Sequence, residues 1–465
     1  LANASIALPG SSSDLSPQTL NRTIVKLAVP AVLENLLGTA VLLVDTLLIG
    51  RLHDPAALAA IGVSGSYIWI AQGVFMALGI GALAIVARAW GEGNLAEARR
   101  TSGQSISLSL VLSVVLMALM MICAEPFMRL LVQDPDPAMS EHVVQLATLY
   151  SHLILSTALL AYPRMVMSNL MRAAGDTRTP MLITLAVNVV NIVLAAWLIF
   201  GGGPMPALGL AGAGIATAIA LGLGGLASFI AMWRGWTPLR VSPREMLVWE
   251  WPEVRRIWRV ALPNIIESGI QRVGFITFIG IVSSLGTASL AAHQITNSIE
   301  SFAFMPAWGL AIAASTLVGQ SLGAGRIDIA QLATRRSAIF GVSAMVLMGS
   351  LFVIFAPLMA GAFGAQADVL ALATVAVALS ALELPSLAFY MIYSGALRGA
   401  GDTRSPMIVS LIGSIVLRVS MVWLLAIGLG MGLAGVWIGT AIDWAGRALL
   451  VYLLYRRGRW KQLKV

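Results

Sequence analysis

One cysteine, four histidines and few charges are what this 465-residue chain has least of, and each scarcity removes a class of function. Cys123 alone cannot build a disulfide framework or a thiolate metal cluster, since both need several thiols. His53, His142, His152 and His293 show no His-x-x-x-His spacing, so no histidine metal site is expected. Charged residues make up 11% of the chain, less than half of the roughly 25% usual for soluble domains, which sets aside an ordinary soluble enzyme. The first twenty residues are Ser-rich and polar, so no cleavable signal with an apolar core is expected there.

What is abundant is apolar. Hydrophobic residues reach 58%, mean hydropathy is +0.87, and 45 glycines are spread through apolar stretches, where they let helices approach closely. Lipid offers a bare backbone no hydrogen-bond partner, so long apolar runs must close their bonds as helices. The expected fold is an all-α membrane protein. About twelve runs reach the length needed to cross a bilayer: 24–50, 58–87, 106–123, 143–171, 181–200, 208–233, 260–284, 290–319, 337–358, 369–397, 407–428 and 433–454.

Residues 234–259 interrupt this series with Arg234, Arg240, Arg244, Arg255, Arg256 and Arg259 among three prolines, an amphipathic stretch that reads as a linker. The domain reading is a polar tail over 1–23, a six-helix lobe over 24–233, a cytoplasmic linker over 234–259, and a second six-helix lobe over 260–465 with a basic tail. Positive charge collects on alternate loops, among them Arg88, Arg99, Arg100, Arg178, Arg326, Arg335, Arg336 and Arg404. That bias places both termini in the cytoplasm and the chain in a plasma or inner membrane. It also accounts for the net charge of +8 without nucleic acid.

The two halves repeat. Arg172-Ala-Ala-Gly-Asp-Thr-Arg178 recurs 226 residues later as Arg398-Gly-Ala-Gly-Asp-Thr-Arg404. Leu27-Ala-Val-Pro30-Ala-Val-Leu-Glu34 returns 233 residues later as Val260-Ala-Leu-Pro263-Asn-Ile-Ile-Glu267. Landmarks in the same order at similar offsets mean duplication of a six-helix unit. Six is even, so both copies cross with the same orientation, related by a pseudo-twofold axis along the membrane normal, an arrangement that favours transporters.

Together with Leu-Leu-Val-Asp45-Thr-Leu-Leu-Ile-Gly50-Arg51, Phe304-Met-Pro306-Ala-Trp-Gly309 and Val318-Gly319-Gln320, these loops make the chain resemble the MATE (multidrug and toxic compound extrusion) family from about Pro30 to Leu450. The resemblance implies a twelve-helix exporter in which entry of Na+ or H+ drives efflux of cationic drugs, with no resident cofactor. Its DinF-like branch carries a first-helix Asp with an Asn and an Asp in the fifth helix and a Thr in the sixth. Asp45, Asn191 and Thr217 match three of these, and Ala195 stands where the second acid belongs. The NorM-like branch has a seventh-helix Glu and a tenth-helix Asp; the first position here holds Gln271, and the second falls near Ser386 and Leu387, neither of them an acid.

The residues themselves give a compatible reading. A charge deep in a membrane helix costs about 2.5–3.5 kcal/mol on insertion scales, so an acid kept there needs a reason. Glu34 and Asp45 are eleven residues apart, close to one face of the first helix at about 100° per residue, and no Lys or Arg is expected within the apolar spans of the first half. Two uncompensated carboxylates hold protons or neutralise a cation. Glu34 is expected to replace the acid missing at Ala195, and Asn188 to add an amide oxygen. Glu267 and Gln271, with Glu34, are expected to face the substrate, and Pro30 and Pro263 to act as hinges, because a helical proline removes a backbone bond. Asp443 and Arg447 are expected to pair one turn apart.

The function expected is a cation-coupled antiporter that acts as a monomer on small organic cations. Two rivals are a lipid-linked precursor flippase, which requires a positively charged lumen, and a membrane-embedded enzyme, for which no Ser-His pairing or Gly-x-Ser-x-Gly motif is seen.

Overall fold

The computed structural model describes residues 17–132, 136–202 and 206–463. The first sixteen residues of the expected tail lie outside them. Its remainder is not a tail: α1 already begins at Pro17 and runs to Gly50. Helices α2 (Pro55–Gly91), α3 (Leu95–Leu131), α4 (Pro137–Leu155), α5 (Ala158–Ala173), α6 (Arg178–Phe200) and α7 (Gly209–Arg234) follow. After the short α8 (Pro243–Leu247) come α9 (Trp251–Ser284), α10 (Thr287–Gly323), α11 (Ile327–Gly361), α12 (Ala367–Ser380), α13 (Leu384–Gly399) and α14 (Arg404–Leu411). The last two are α15 (Arg418–Trp423), flanked by π-helical turns, and α16 (Gly432–Arg456). No strand occurs among the described residues.

Ten helical stretches are long and apolar enough to cross a membrane, and two bent pairs bring the number to as many as twelve. The pairs are the expected fourth and tenth spans: α4 and α5 meet at 61°, α12 and α13 at 49°. At the first break the hydroxyls of Ser156 and Thr157 take the carbonyls of Leu153 and Ile154 at 2.6 and 3.1 Å, competing with the helix for its own acceptors. At the second, Pro385 withholds an N–H and forces the chain before it out of helical continuity.

The repeated loops are built alike. Gly175 and Gly401 hold φ at 86° and 88°, a region in which a Cβ is strained. Asp176 then accepts from the amides of Arg178 and Thr179 at 3.1 and 3.0 Å, and Asp402 from Ser405 at 3.0 Å, so each loop aspartate satisfies free N–H groups at the next helix start.

The chain forms two compact units whose boundaries cut across the linear lobes. The first holds Leu33–Ala82 and Leu95–Trp258; the second holds the described residues up to Val32, Leu83–Asn94 and the chain from Arg259 onward. The expected linker is therefore not a free tether. It is docked on α3 in the first unit: Thr101 donates to Glu253 at 2.6 Å, Arg256 reaches Glu97 at 2.7 Å, Gln104 accepts from Glu250 N at 3.0 Å, and Arg100 pairs with Glu250. In the first unit α5, α6 and α7 pack through small residues, with Gly225 of α7 lying against the Leu160 carbonyl. In the second, Gly395 and Gly399 of α13 lie against the carbonyls of Ala311 and Ser315 on α10.

Gly225→Val drives a branched side chain into backbone and is expected to cost about 1–3 kcal/mol or more, lowering the monodisperse fraction in fluorescence-detected gel filtration. Gly62→Ala, with nothing within 4 Å of the added carbon, is expected to leave the profile unchanged.

Candidate functional site

Three helices of the first unit converge on Asp45, which is 2% exposed. Thr217 of α7 donates its hydroxyl to Asp45 Oδ2 at 2.9 Å, and Asn191 of α6 donates its amide to Thr217 Oγ1 at 3.0 Å. Asn191 therefore reaches Asp45 through Thr217, and the buried Tyr150 of α4 lies in the same surroundings. The local cause is the buried stripe of α6, in which Val187, Asn188, Asn191, Ala195 and Leu198 recur at helical spacing. Tyr150 had no motif to mark it; a lone tyrosine within an apolar span was its only signal.

All the partners of Asp45 are neutral. Among the described residues no Lys, Arg or His lies within ion-pair distance of it, and its Oδ1 has no hydrogen-bond partner. The Oδ1 atoms of Asn188 and Asn191 are likewise buried and without a donor. Asn188 donates from its amide to the Thr184 carbonyl at 2.9 Å, and no hydrogen bond joins it to Asp45. A carboxylate held only by a hydroxyl keeps its charge available to a proton, a metal cation or an organic cation.

Glu34 departs from expectation. Arg172 Nη2 sits 2.6 Å from Glu34 Oε2, with both side chains about 10% exposed. Arg164 of α5 adds a second positive charge close to Glu34 and donates to Thr184 Oγ1 at 3.1 Å. The reading that the first half has no cation inside its spans is thus corrected. The bend between α4 and α5 carries Arg164 and Arg172 on a buried helix whose last turn reaches Glu34. Glu34 is neutralised there and does not replace the acid absent at Ala195.

The second unit repeats this pair. Glu267 Oε1 accepts from Arg398 at 2.6 Å, from Ser410 at 2.7 Å, and from Gln271 and Tyr390 at 3.3 and 3.4 Å. Glu267 and Gln271 do come together, as a positioned polar knot rather than an open charge. In each half, then, the glutamate four residues after a helical proline is held by the arginine that opens the Gly-Asp-Thr-Arg loop. Asp443 forms the expected pair with Arg447 at 2.6 Å and takes Arg418 as well at 2.8 Å. Pro30 and Pro263 are both buried within continuous helices. No group of three or more metal-ligating side chains occurs among the described residues.

Comparison with known proteins follows the same pattern. The MatE family matches residues 30–197 and 263–424. A Thermotoga maritima protein named probable multidrug resistance protein NorM is 30% identical over 96% of this chain and 94% of its own length. The multidrug resistance protein MdtK of Yersinia enterocolitica is 28% identical over 95% of each chain. Among solved structures, an outward-facing multidrug resistance MATE family transporter of the MOP superfamily superposes with a TM-score of 0.85 at 22% identity, covering 96% of this chain and 98% of that one. A MOP superfamily transporter from Pyrococcus furiosus, described as having a binding pocket of reverse polarity, gives 0.86 at 22% identity with the same coverage.

Arg172→Met is expected to leave Glu34 buried beside one remaining guanidinium and to cost about 3–5 kcal/mol. Adding Glu34→Gln should recover much of the loss in thermal unfolding. Equal losses in the single and double variants would show that the two side chains are not coupled.

Proposed function

The chain belongs to the MatE family and is a multi-pass membrane transporter rather than an enzyme, and from that premise we propose that it exports small cationic or amphipathic drugs in exchange for H+ or Na+ bound at Asp45. The observation that carries this reading is a buried carboxylate with one oxygen on Thr217 and the other without a donor. The names of the relatives supply the substrate class. The first-helix acid with Asn191 and Thr217, and the lack of an acid at Gln271 and near Ser386 and Leu387, favour the DinF-like arrangement.

Competition for one charge is sufficient for coupling. Protonated Asp45 loses the charge that retains an organic cation, so proton entry releases drug, and proton release on the other side restores the site. Ala195 removes one carboxylate and Arg172 occupies Glu34, which leaves Asp45 as the single acid beside Asn191 and Thr217 and favours H+ over Na+. Pro30 supports a hinge: the chain passes from one compact unit to the other between Val32 and Leu33, two residues beyond it. Pro263 is its counterpart in the repeat. The proposed setting is a plasma or inner membrane, with both termini cytoplasmic and a monomer as the working unit.

One observation favours the flippase rival. Arg164 and Arg172 together carry one positive charge more than Glu34, and that excess suits an anionic headgroup. Transport of an anionic lipid-linked precursor with no organic-cation efflux would select it.

The deciding experiment is efflux of ethidium from proteoliposomes under an imposed pH gradient and then an imposed sodium gradient. The pH gradient is expected to drive export, with Asp45→Asn falling to the level of empty liposomes and Thr217→Val retaining a reduced rate. Undiminished gradient-driven export by Asp45→Asn would remove Asp45 from the mechanism.

A further inference from the structure

The segment between α7 and α9 is held firmly along its inner face. Gly235 ends α7 at φ 75°, a left-handed cap that turns the chain back. Trp236 N then donates to the Ala231 carbonyl at 2.9 Å and Val241 N to the Met232 carbonyl at 3.2 Å, closing a tight return. On α3, Thr101, Gln104 and Ser107 recur every three residues, and all three bond to the segment: Thr101 to Glu253, Gln104 to the Val248 carbonyl, Ser107 to the Met246 carbonyl. Gly103, on the same helix, leaves room for the Glu245 carbonyl. Thr237, Leu239, Val241, Glu253 and Val254 are buried against this frame.

Every acid of the segment is committed to a partner. Glu245 accepts from Ser242 N at 2.5 Å, Glu250 pairs with Arg100, and Glu253 takes Thr101 at 2.6 Å and Arg256 at 3.4 Å. The outer face has the opposite character. Arg234, Arg240, Arg244 and Arg255 are exposed, and none has an ion-pair partner among the described residues. Two of them are tied to the end of α7: the Arg234 guanidinium lies 5.7 Å from the centre of the Trp233 ring, and Arg240 Nε donates to the Trp233 carbonyl at 3.2 Å.

Tryptophans stand among these cations. Trp236 and Trp251 are each 71% exposed, with Trp233 and Val248 exposed beside them in sequence. Trp233 lies in the last turn of the apolar stretch that ends at Arg234, and Trp251 opens the stretch that runs to Ser284. Both therefore stand where a crossing helix leaves the hydrocarbon, the depth that indoles favour. An indole at the end of such a helix need not face outward. Beyond α16, the last helix of the second unit, Trp460 is buried, stacks on Tyr455 and gives its Nε1 to the Tyr455 carbonyl at 2.9 Å.

Bare guanidiniums alone suit any polyanion. Exposed indoles at the ends of two apolar spans narrow the choice, because the headgroup layer of a bilayer offers anionic oxygens and an apolar boundary at one depth. We propose that the outer face of residues 233–255 is a binding surface for anionic phospholipid, with Arg234, Arg240, Arg244 and Arg255 on the headgroup phosphates and Trp236 and Trp251 seated at the acyl boundary. The frame on α3 fixes the backbone that carries these side chains before lipid arrives, so little backbone freedom is lost on binding. The surface is independent of the exporter reading and holds whichever substrate is carried.

The test uses the full-length protein in mixed micelles with phosphatidylglycerol or phosphatidylcholine carrying a photoreactive group in the headgroup region, followed by mapping of the labelled peptides. Residues 233–255 are expected to take about tenfold more label from phosphatidylglycerol, a preference that shrinks as salt is raised. Arg234→Gln, Arg240→Gln, Arg244→Gln and Arg255→Gln, combined, should abolish the preference. Arg335→Gln, Arg404→Gln, Arg456→Gln and Arg457→Gln, combined, remove the same charge from exposed positions of the second unit and should leave it intact. Equal labelling by the two lipids, a preference that survives in the first variant, or one lost equally in both would overturn the assignment. Suppression of labelling by an oligonucleotide as effectively as by unlabelled phosphatidylglycerol would also overturn it, giving the face to polyanions in general. The lipid comparison and the salt series on the wild type decide the matter if a Gln variant fails to fold.

Discussion

A carboxylate within an apolar membrane helix must be neutralised, and the way each one is neutralised sorts the acids of this chain by role. Glu34 and Glu267 lie 2.6 Å from guanidiniums of their own units, and Asp443 lies between Arg418 and Arg447. These charges are committed to structure; breaking such a pair strands a buried ion at a cost of about 3–5 kcal/mol. Asp45 is held by the Thr217 hydroxyl, which in turn takes the Asn191 amide, and no guanidinium among the described residues neutralises it. The asymmetry of the duplicated halves follows from this sorting. The repeat preserved the glutamate and its arginine, while Asp45 is answered at the equivalent position by Phe278.

The fold was legible because its signals are long and additive. A run of twenty apolar residues leaves one solution in lipid, and the paired Gly-Asp-Thr-Arg loops with Pro30 and Pro263 mark the duplication. The bent fourth and tenth spans and the docking of residues 234–258 on α3 were not legible. They depend on single hydroxyls at Ser156 and Thr157, on Pro385, and on the match between Thr101, Gln104 and the glutamates that follow α8. A linker rich in arginine reads as solvated until its partners on another helix are known.

At the site, Asp45 stands out as an acid within an apolar helix, whereas Asn191 and Thr217 are marked by the family resemblance alone; the three form one hydrogen-bonded chain. Glu34 looks uncompensated in the sequence because Arg172 stands just past the end of an apolar span and Arg164 is a solitary cation within it. A buried ion pair between residues 138 positions apart leaves no local pattern in the sequence. Tyr150, Ser410 and Tyr390 were missed for the same reason: each is a solitary polar side chain whose meaning lies in a neighbour on a different helix.

The central claim is that Asp45 binds either a proton or an organic cation. Equilibrium binding of tetraphenylphosphonium to the detergent-purified protein across a range of pH tests it most directly, since neither folding in a membrane nor turnover intervenes. Affinity is expected to weaken as pH falls, and Asp45→Asn to lose most of this dependence along with most of the affinity. Wild-type binding independent of pH, or an unaltered pH dependence in Asp45→Asn, would contradict it.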